Sequence, residues 1–330
     1  MKVLLVTHRG DNESVELVSR AVKRRRHTPL RLDTDLYPTR VKLASELVKH
    51  KTRRWLSLGG SRVDLERIGA LWYRRFFAGD ALPDQLGDTR AACVEESRRT
   101  LYGTIASLEC FQLDPLRAVR RCDHKELQLA RARTFGLDVP RTLFTNDPKA
   151  VKQFARTLKV PLVTKMQHSF AIERAGQEQV VFTNAVRADD LQRLDGLKFA
   201  PMTFQEKVPR HLELRATVVG KRVFTASIAG ELLEPGTVDW RRDGAALMAQ
   251  WKPYALPRAA ERSLLRLTKW FGLNYAAADF IVTPEGRHVF LELNAGGEFF
   301  WLQRSPGLPI AEALAEVLTT PSARACELAP

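Results

Sequence analysis

The C-terminal half of the sequence contains two pairs of apolar, strand-like segments, and a short turn joins the members of each pair. Residues 212–219 and 222–228 flank a Gly-Lys turn, and residues 275–282 and 288–293 flank a turn that contains Pro-Glu-Gly. Connections this short join antiparallel strands, because parallel strands need a long crossover. The pattern therefore predicts two antiparallel hairpins and, with the neighbouring helices, an α+β arrangement.

The N-terminal part of the sequence has a different pattern. Residues 2–7 form an apolar run, residues 13–25 carry three valines at helical spacing, and residues 29–32 resemble a second strand. This order predicts a strand-helix-strand unit and an α/β domain. A Gly-x-Gly-x-x-Gly fingerprint for dinucleotides is absent. Further strands and helices are predicted at residues 71–75, 88–108, 125–135, 148–158, 160–166, 179–183, 189–194, 202–207 and 258–271.

Composition limits the partners. The chain has 330 residues, is 45% hydrophobic and carries a net charge of +14, with basic runs at residues 23–26, 49–54 and 117–121 that we interpret as solvated helix faces. The charge favours an acidic partner, and because no nucleic-acid motif accompanies it, nucleic acid is the weaker candidate. We expect no membrane partner and a cytoplasmic location, because the sequence lacks a long apolar run and a signal-peptide cleavage site.

The second hairpin carries the residues best suited to a metal ion. Asp279 lies in the first strand, and Glu292 and Asn294 lie on one face of the second, because strand side chains alternate. Two carboxylates and an amide oxygen suit a hard cation such as Mg²⁺. The alternative is an acidic face in water, but the flanking residues are apolar, and carboxylates buried among them need a counter-charge.

Basic residues elsewhere can supply contacts to phosphate. Lys125 stands at the start of a predicted helix, where the N-terminus favours anions, and Lys165 ends an apolar strand. Arg215 and Arg241 have apolar neighbours and suit phosphate or carboxylate, with a structural ion pair as the alternative for each. The segment Gln205-Glu206-Lys207-Val208 ends a strand, and its backbone edge and carboxylate can hold an adenine.

Taken in order, these motifs resemble the ATP-grasp superfamily, in particular its RimK-like branch. The motifs that carry the resemblance are Lys125, Lys165, Gln205-Glu206, Glu213-Leu214-Arg215, Trp240-Arg241, Asp279 and Glu292-Leu293-Asn294. A narrower resemblance, to the microviridin-type (graspetide) peptide ligases, rests on four further segments. These are Leu71-Trp72-Tyr73-Arg74-Arg75-Phe76, the run from Asp123 to Leu129, the run from Pro140 to Pro148, and Asp239-Trp240-Arg241.

The resemblance implies a fold, cofactors and residue roles. The fold would be an α/β N-terminal domain over residues 1–120, then α+β ATP-grasp subdomains over residues 121–204 and 205–330. The cofactors would be ATP and Mg²⁺. Lys125 and Lys165 would contact phosphates, Glu206 to Val208 would hold adenine, and Glu213 would hold ribose. Asp279, Glu292 and Asn294 would bind magnesium, and Arg215 and Arg241 would face the transferred phosphoryl group.

The implied activity is ATP-dependent macrocyclisation of a ribosomally made acidic precursor peptide, which consists of a leader and a core. Asp or Glu side chains would be activated as acyl phosphates and joined to Thr, Ser or Lys side chains. A hairpin within residues 167–182 is the candidate dock for the leader, and the family suggests a homodimer. The alternatives are a ligase that adds free amino acids to an acidic acceptor and, more remotely, a basic nucleic-acid-binding protein.

Overall fold

The computed structural model of the chain describes residues 1–167, 171–174, 177–180, 183–232 and 244–327. Side chains are described in these ranges except at residues 171–174, 177–180 and 244–246. Arg241 and the neighbouring Trp240 lie outside the described residues. None of the helices in the described ranges has both the length and the apolar character of a membrane span.

The described chain forms strands and helices in the following order. The strands are β1 (Lys2–Thr7), β2 (Thr28–Asp33), β3 (Lys42–Val48), β4 (Lys51–Leu58), β5 (Ser61–Asp64), β6 (Ile68–Tyr73), β7 (Phe111–Leu113), β8 (Thr142–Thr145), β9 (Leu162–Lys165), β10 (Ala171–Arg174), β11 (Gln177–Val180), β12 (Asn184–Ala185), β13 (Met202–Glu206), β14 (Leu212–Val219), β15 (Arg222–Ala229), β16 (Lys252–Pro253), β17 (Tyr275–Val282) and β18 (His288–Asn294). The helices are α1 (Ser14–Arg24), α2 (Arg90–Ala106), α3 (Leu116–Cys122), α4 (Lys125–Thr134), α5 (Pro148–Leu158), α6 (Arg258–Trp270), α7 (Phe300–Arg304) and α8 (Ile310–Thr319).

The N-terminal sheet has the order β2-β1-β6-β7, and all its pairings are parallel. Val3 and Leu5 of β1 pack in one core with α1 and the C-terminal helix α8, while Leu4 and Val6 pack in a second core with α2. A parallel strand buried on both faces reads as a continuous apolar run. The predicted strand-helix-strand start is therefore confirmed.

Three segments differ from the sequence expectation. The basic run at residues 49–54 lies on the β3–β4 hairpin of a small antiparallel sheet, β3-β4-β5, and not on a helix. Residues 142–145 form strand β8, which was not predicted, whereas the basic run at residues 117–121 does lie on a helix, α3. Helix α8 was not predicted, although it packs against α1.

The central sheet has the order β12-β9-β13-β8 and is antiparallel. Phe204 of β13 packs with Val151 of α5 and Leu197 in a small core on one face. A separate antiparallel pair, β10 with β11, confirms the backbone hairpin predicted within residues 167–182.

The C-terminal sheet has the order β16-β15-β14-β17-β18 and is antiparallel, which confirms both predicted hairpins. One face presents Leu214, Ala216, Ala278 and Phe280 to a core shared with α4 and α6. Because side chains alternate along strands, the residues between these positions point to the opposite face. The division at residues 120 and 204 remains a proposal, which the separate sheets support.

Candidate functional site

The face of the C-terminal sheet opposite α4 and α6 carries the predicted carboxylates. In register, Asp279 of β17 lies between Arg215 of β14 and Glu292 of β18. Side chains directly across an antiparallel pair are close neighbours. A β-bulge follows at once, because Phe280 pairs with Phe290 and leaves Leu291 as the extra residue. Bulges are common beside functional sites, where they direct a side chain.

Each of the two carboxylates, Asp279 and Glu292, forms an ion pair with a basic side chain. Arg215 Nη1 donates to Asp279 Oδ1 at 2.6 Å, and Lys125 Nζ donates to Glu292 Oε2. The Arg215 side chain is 8% exposed and that of Asp279 19%. Arg215 thus forms the ion pair that the sequence left open as the alternative to an anion contact. Each of these cations has further N–H donors beyond its ion pair, so Lys125 and Arg215 can also contact phosphate.

Lys125 reaches Glu292 because α4 is fixed to β18. The buried amide of Gln128 donates from Nε2 to Leu293 O and accepts from Leu293 N at Oε1, both at 2.8 Å. Gln128 lies one turn after Lys125, so the two side chains share a face of the helix. The two hydrogen bonds therefore place the start of α4 above the carboxylate pair.

The donor set around Asp279 fits a hard cation. Asn294 is exposed, and its Oδ1 accepts from Gly296 N at 2.9 Å, which leaves that oxygen a second lone pair. Within the described ranges no three His, Cys, Asp or Glu side chains converge on a metal-sized site. A magnesium ion here would therefore be held by the two carboxylates and Asn294, and the remaining coordination positions of the ion would be open to phosphate or water.

Two buried polar atoms on this face lack a hydrogen-bond partner among the described residues. They are Nε of Arg215 and Oγ1 of Thr217, whose residues are 6% and 0% exposed. An unsatisfied buried donor costs about 1–3 kcal/mol, so such atoms call for an explanation. Both residues lie on the face of β14 opposite its apolar face. An anionic ligand on this side of the sheet would supply hydrogen-bond acceptors for these two atoms.

The other predicted residues form a second group in and beside the central sheet. Lys165 lies opposite Thr203, and Gln205 opposite Val163, on the face turned away from the Phe204 core. Gln205 is buried and donates to Thr142 Oγ1 at 2.9 Å.

The segment that follows links the two groups. Glu206 N donates to Arg141 O at 3.0 Å, and Lys207 N to Pro161 O at 2.8 Å. Val208 is buried, and Glu213 of β14 pairs with Arg210 at 2.5 Å. The chain therefore passes from the central sheet to the Arg215 face within a few residues.

Residues 295–299 form a loop, called here the glycine loop. From the sequence, its segment Ala295-Gly296-Gly297 is either a plain turn or a stretch that lets substrate backbone approach closely. Three successive carbonyls of the loop accept hydrogen bonds from three different elements. Arg74 Nη1 donates to Gly296 O at 2.7 Å, Tyr275 OH to Gly297 O at 2.6 Å, and Arg215 Nη2 to Glu298 O at 3.3 Å. Burial raises the pKa of Tyr275 to about 12, so its hydroxyl remains protonated as a donor.

Packing also restricts this loop. A Cβ atom on Gly297 would stand 2.4 Å from Ala277 Cβ and 3.1 Å from Arg215 Nη2. Only glycine allows so close an approach of backbone to the sheet. The loop is therefore tied both to the N-terminal sheet and to the arginine that pairs with Asp279.

Glu298 joins the N-terminal domain to this loop. Its carboxylate pairs with Arg74 and Asn12, and it accepts from Arg75 Nη2 at 2.6 Å. Burial alone would raise the pKa of Glu298, but Arg74, Asn12 and Arg75 together hold it below its usual range. Glu298 is therefore an ionised carboxylate that clamps two guanidinium groups.

The comparisons with known proteins agree with this architecture. The family profile described as "MvdD pre-ATP grasp domain" matches residues 2–120. Macrocyclase MdnC of Microcystis aeruginosa MRC, solved with precursor peptide MdnA, is 44% identical over 96% of this chain and 99% of its own, with a TM-score of 0.88. A Chryseobacterium gregarium RiPP-associated ATP-grasp ligase, solved with ADP and a leader and core peptide, is 36% identical over 100% and 99% of the two chains, with a TM-score of 0.95. Macrocyclase MdnB of Microcystis aeruginosa MRC is 34% identical over 97% and 99%, with a TM-score of 0.80.

The chain belongs to the RiPP-associated ATP-grasp ligases. Its fold is accordingly an ATP-grasp fold preceded by a pre-ATP-grasp domain, and the resemblance drawn from the ordered motifs is confirmed. No curated protein sequence matches the chain significantly.

In this ATP-grasp ligase, sequence reasoning did not assign the residues that join the domains. Arg74 and Arg75 follow β6 directly, and Glu298 lies in the glycine loop. Two consecutive arginines after a buried parallel strand were a usable signal, because ligands bind where such strands end. Glu298 had no comparable signal, since its partners are more than 200 positions away in sequence.

Asp114 fixes the start of β17 from beneath the site. Its buried carboxylate accepts from Asn274 N at 2.9 Å and from Tyr275 N at 2.8 Å. Burial raises the pKa of Asp114 from 3.8 to about 7, although the hydrogen bonds from Asn274 and Tyr275 oppose this shift. Asp114 thus positions Tyr275, which holds the glycine loop.

The raised pKa of Asp114 predicts a pH dependence of stability. The folded chain binds this proton more tightly than the unfolded chain, so the free energy of unfolding should fall as pH rises from about 4 to about 7. We expect this group to contribute roughly 1–4 kcal/mol across that window. Urea unfolding at several pH values, compared with Asp114→Asn, measures it. Equal pH slopes in the two proteins would contradict the assignment.

Proposed function

We propose that this ligase uses ATP and Mg²⁺ to activate Asp or Glu side chains of a ribosomally made peptide and joins them to Thr, Ser or Lys side chains. The observation that carries the proposal is the Asp279–Glu292 pair, which faces Arg215 and Lys125 across one side of the sheet. Charges of both signs in one partly buried site suit the transfer of a phosphoryl group to a carboxylate.

The nucleotide and the metal would be held by the two groups of residues described above. Asp279, Glu292 and Asn294 would bind magnesium, which supplies positive charge to the phosphates. Lys125 and Lys165 would contact those phosphates, and Glu213 would contact ribose. Gln205, Glu206, Lys207 and Val208 would hold adenine. Arg215 and Arg241 would face the transferred phosphoryl group, a role that for Arg241 rests on the family motif alone.

The chemistry proceeds in two displacements. A substrate carboxylate oxygen attacks the γ-phosphorus of ATP, and ADP leaves with the electrons of the broken bond, giving an acyl phosphate. A hydroxyl or amine then attacks the acyl carbon, loses its proton, and phosphate leaves. Arg215 would stabilise the charge that develops in both steps, because its buried guanidinium works in a low-dielectric site. Exclusion of water would protect the acyl phosphate from hydrolysis.

The substrate would be an acidic precursor peptide with a leader and a core. MdnC was solved with its precursor peptide, and the Chryseobacterium gregarium ligase with a leader and a core peptide. The net charge of +14 fits an acidic partner. Docking of a leader on the β10–β11 hairpin is part of this proposal. A homodimer and a cytoplasmic location remain predictions.

Incubation with ATP, Mg²⁺ and a peptide rich in Thr and Glu tests the proposal. Each crosslink should remove the mass of one water, with one ADP formed per bond. A gain of amino-acid residues would instead indicate a RimK-like ligase. No product with any acidic peptide, together with thermal stabilisation by nucleic acid and none by nucleotide, would refute the proposal.

A further inference from the structure

The strand order of the N-terminal sheet reverses between β1 and β6. The connection after β1 leads to β2 on one side, and the connection after β6 leads to β7 on the other. Ligands in open α/β sheets bind at the carboxyl ends of strands where the strand order reverses in this way. The backbone N–H groups of Arg74 and Arg75 donate to Val6 O at this point, at 2.9 and 3.2 Å.

The two arginines have different surroundings. The side chain of Arg74 is 1% exposed, and its guanidinium donates a hydrogen bond to Gly296 O and forms an ion pair with Glu298. The side chain of Arg75 is 35% exposed, and Glu298 engages its Nη2. Arg74 is therefore a structural clamp, whereas Arg75 presents part of its guanidinium to a ligand that enters from solvent.

Gly296 leaves space beside that guanidinium. A Cβ atom at this position would lie 3.4 Å from Arg75 Nη1 and 3.8 Å from Asn294 Oδ1. Gly296 is not among the residues with a positive φ angle, so its backbone conformation does not require glycine. A side chain at this position would contact both Arg75 and Asn294, and glycine leaves both contacts to a ligand.

We propose that Arg75 binds the side-chain carboxylate of the substrate peptide beside Asn294. The inference rests on the proposed function and adds a specificity residue from the N-terminal domain. A guanidinium presents a planar fork of donors that matches a carboxylate. The γ-phosphate is the competing anion, but Lys125 and Arg215 already lie at the carboxylate pair, whereas Arg75 pairs with Glu298 of the glycine loop. Arg75 therefore selects acidic side chains over their amides.

Direct binding measures this selection without turnover. The probes are two fluorescein-labelled synthetic peptides of Thr and Glu residues, identical except that Gln replaces every Glu in the second. Their affinities are measured for the full chain with Mg²⁺ and ADP present. The intact chain should prefer the Glu peptide, and R75Q should lose about 10- to 100-fold of that preference, as expected for a charge-assisted hydrogen bond. R75K should recover part of it.

The matched control is Arg9→Gln. Arg9 lies at the same end of the sheet, but its side chain is 56% exposed and pairs with Asp35 at 2.6 Å. The control should keep the full preference for the Glu peptide. Gly296→Ala places a methyl group beside Arg75 Nη1 and Asn294 Oδ1, so it should weaken binding of the Glu peptide.

An unchanged preference in R75Q would overturn the inference, and so would a loss of nucleotide affinity with the preference intact, which would mark a phosphate contact. Crosslinking by the intact chain separates the two proposals. If the intact chain forms crosslinks while R75Q keeps its preference, only the role of Arg75 fails. If the intact chain forms none, the proposed function itself fails.

Discussion

Asp279→Asn and Glu292→Gln should each lower ATP-dependent crosslinking at least about 100-fold while the peptide still binds. Each change keeps the shape of the side chain but removes a negative charge that would hold magnesium. It also leaves Arg215 or Lys125 without its ion-pair partner. Initial rates of ADP formation, measured over a range of Mg²⁺ concentrations, give the size of the loss.

Glu285→Gln is the matched control for these two variants. Glu285 lies in the turn of the same hairpin and is exposed, so its change should leave the rate within twofold of the unchanged chain, about the level expected for a screened surface charge. Thermal unfolding shows whether each variant is folded. Retention of crosslinking by folded Asp279→Asn or Glu292→Gln would refute the magnesium assignment.

Arg215→Ala should lower kcat by about 100- to 1000-fold, the loss seen when one preorganised donor is removed from a site of charge development. Arg215→Lys should recover little of this. Lysine has a single ammonium group, whereas Arg215 donates from Nη1 to Asp279 and from Nη2 to Glu298 O. Single-turnover measurements with saturating ATP and peptide separate this loss from weaker binding.

Arg222→Ala is the control for the arginine. Arg222 lies on the neighbouring strand β15 and pairs with Glu316, but both side chains are substantially exposed, at 50% and 35%. Exposed ion pairs contribute about 0–1 kcal/mol, so activity and stability should change little. If Arg215→Lys kept the full kcat, the simultaneous contacts of Arg215 with Asp279 and Glu298 O would have no part in catalysis.

Local sequence pattern was sufficient for the elements that carry the metal candidates. The turn between residues 282 and 288 is short, so the pairing of β17 with β18 near the turn is decided locally. That register alone would place Asp279 opposite Leu291, and the bulge at Leu291 brings Asp279 opposite Glu292. Helix α5 was predicted with its observed ends, because Asp147 caps its N-terminus, where it accepts from Lys149 N at 2.8 Å.

Contacts between residues far apart in the sequence could not be predicted from local sequence pattern. The sequence left Arg215 open between an ion pair and an anion contact, because its partner Asp279 is brought close only when β14 pairs with β17. Helix α8 consists largely of strong helix formers, so its local pattern could have been read, but its packing on α1, near the other end of the chain, could not.

The amino-acid sequence by itself determined the two hairpins, the order of the motifs and the family that this order indicates. Only the tertiary structure decided that Arg74 and Arg75 meet Glu298 and hold the glycine loop against Arg215. The physical reason is range. Alternation and turn chemistry act over a few neighbouring residues, whereas a buried ion pair between distant segments forms only where packed layers bring the charges together.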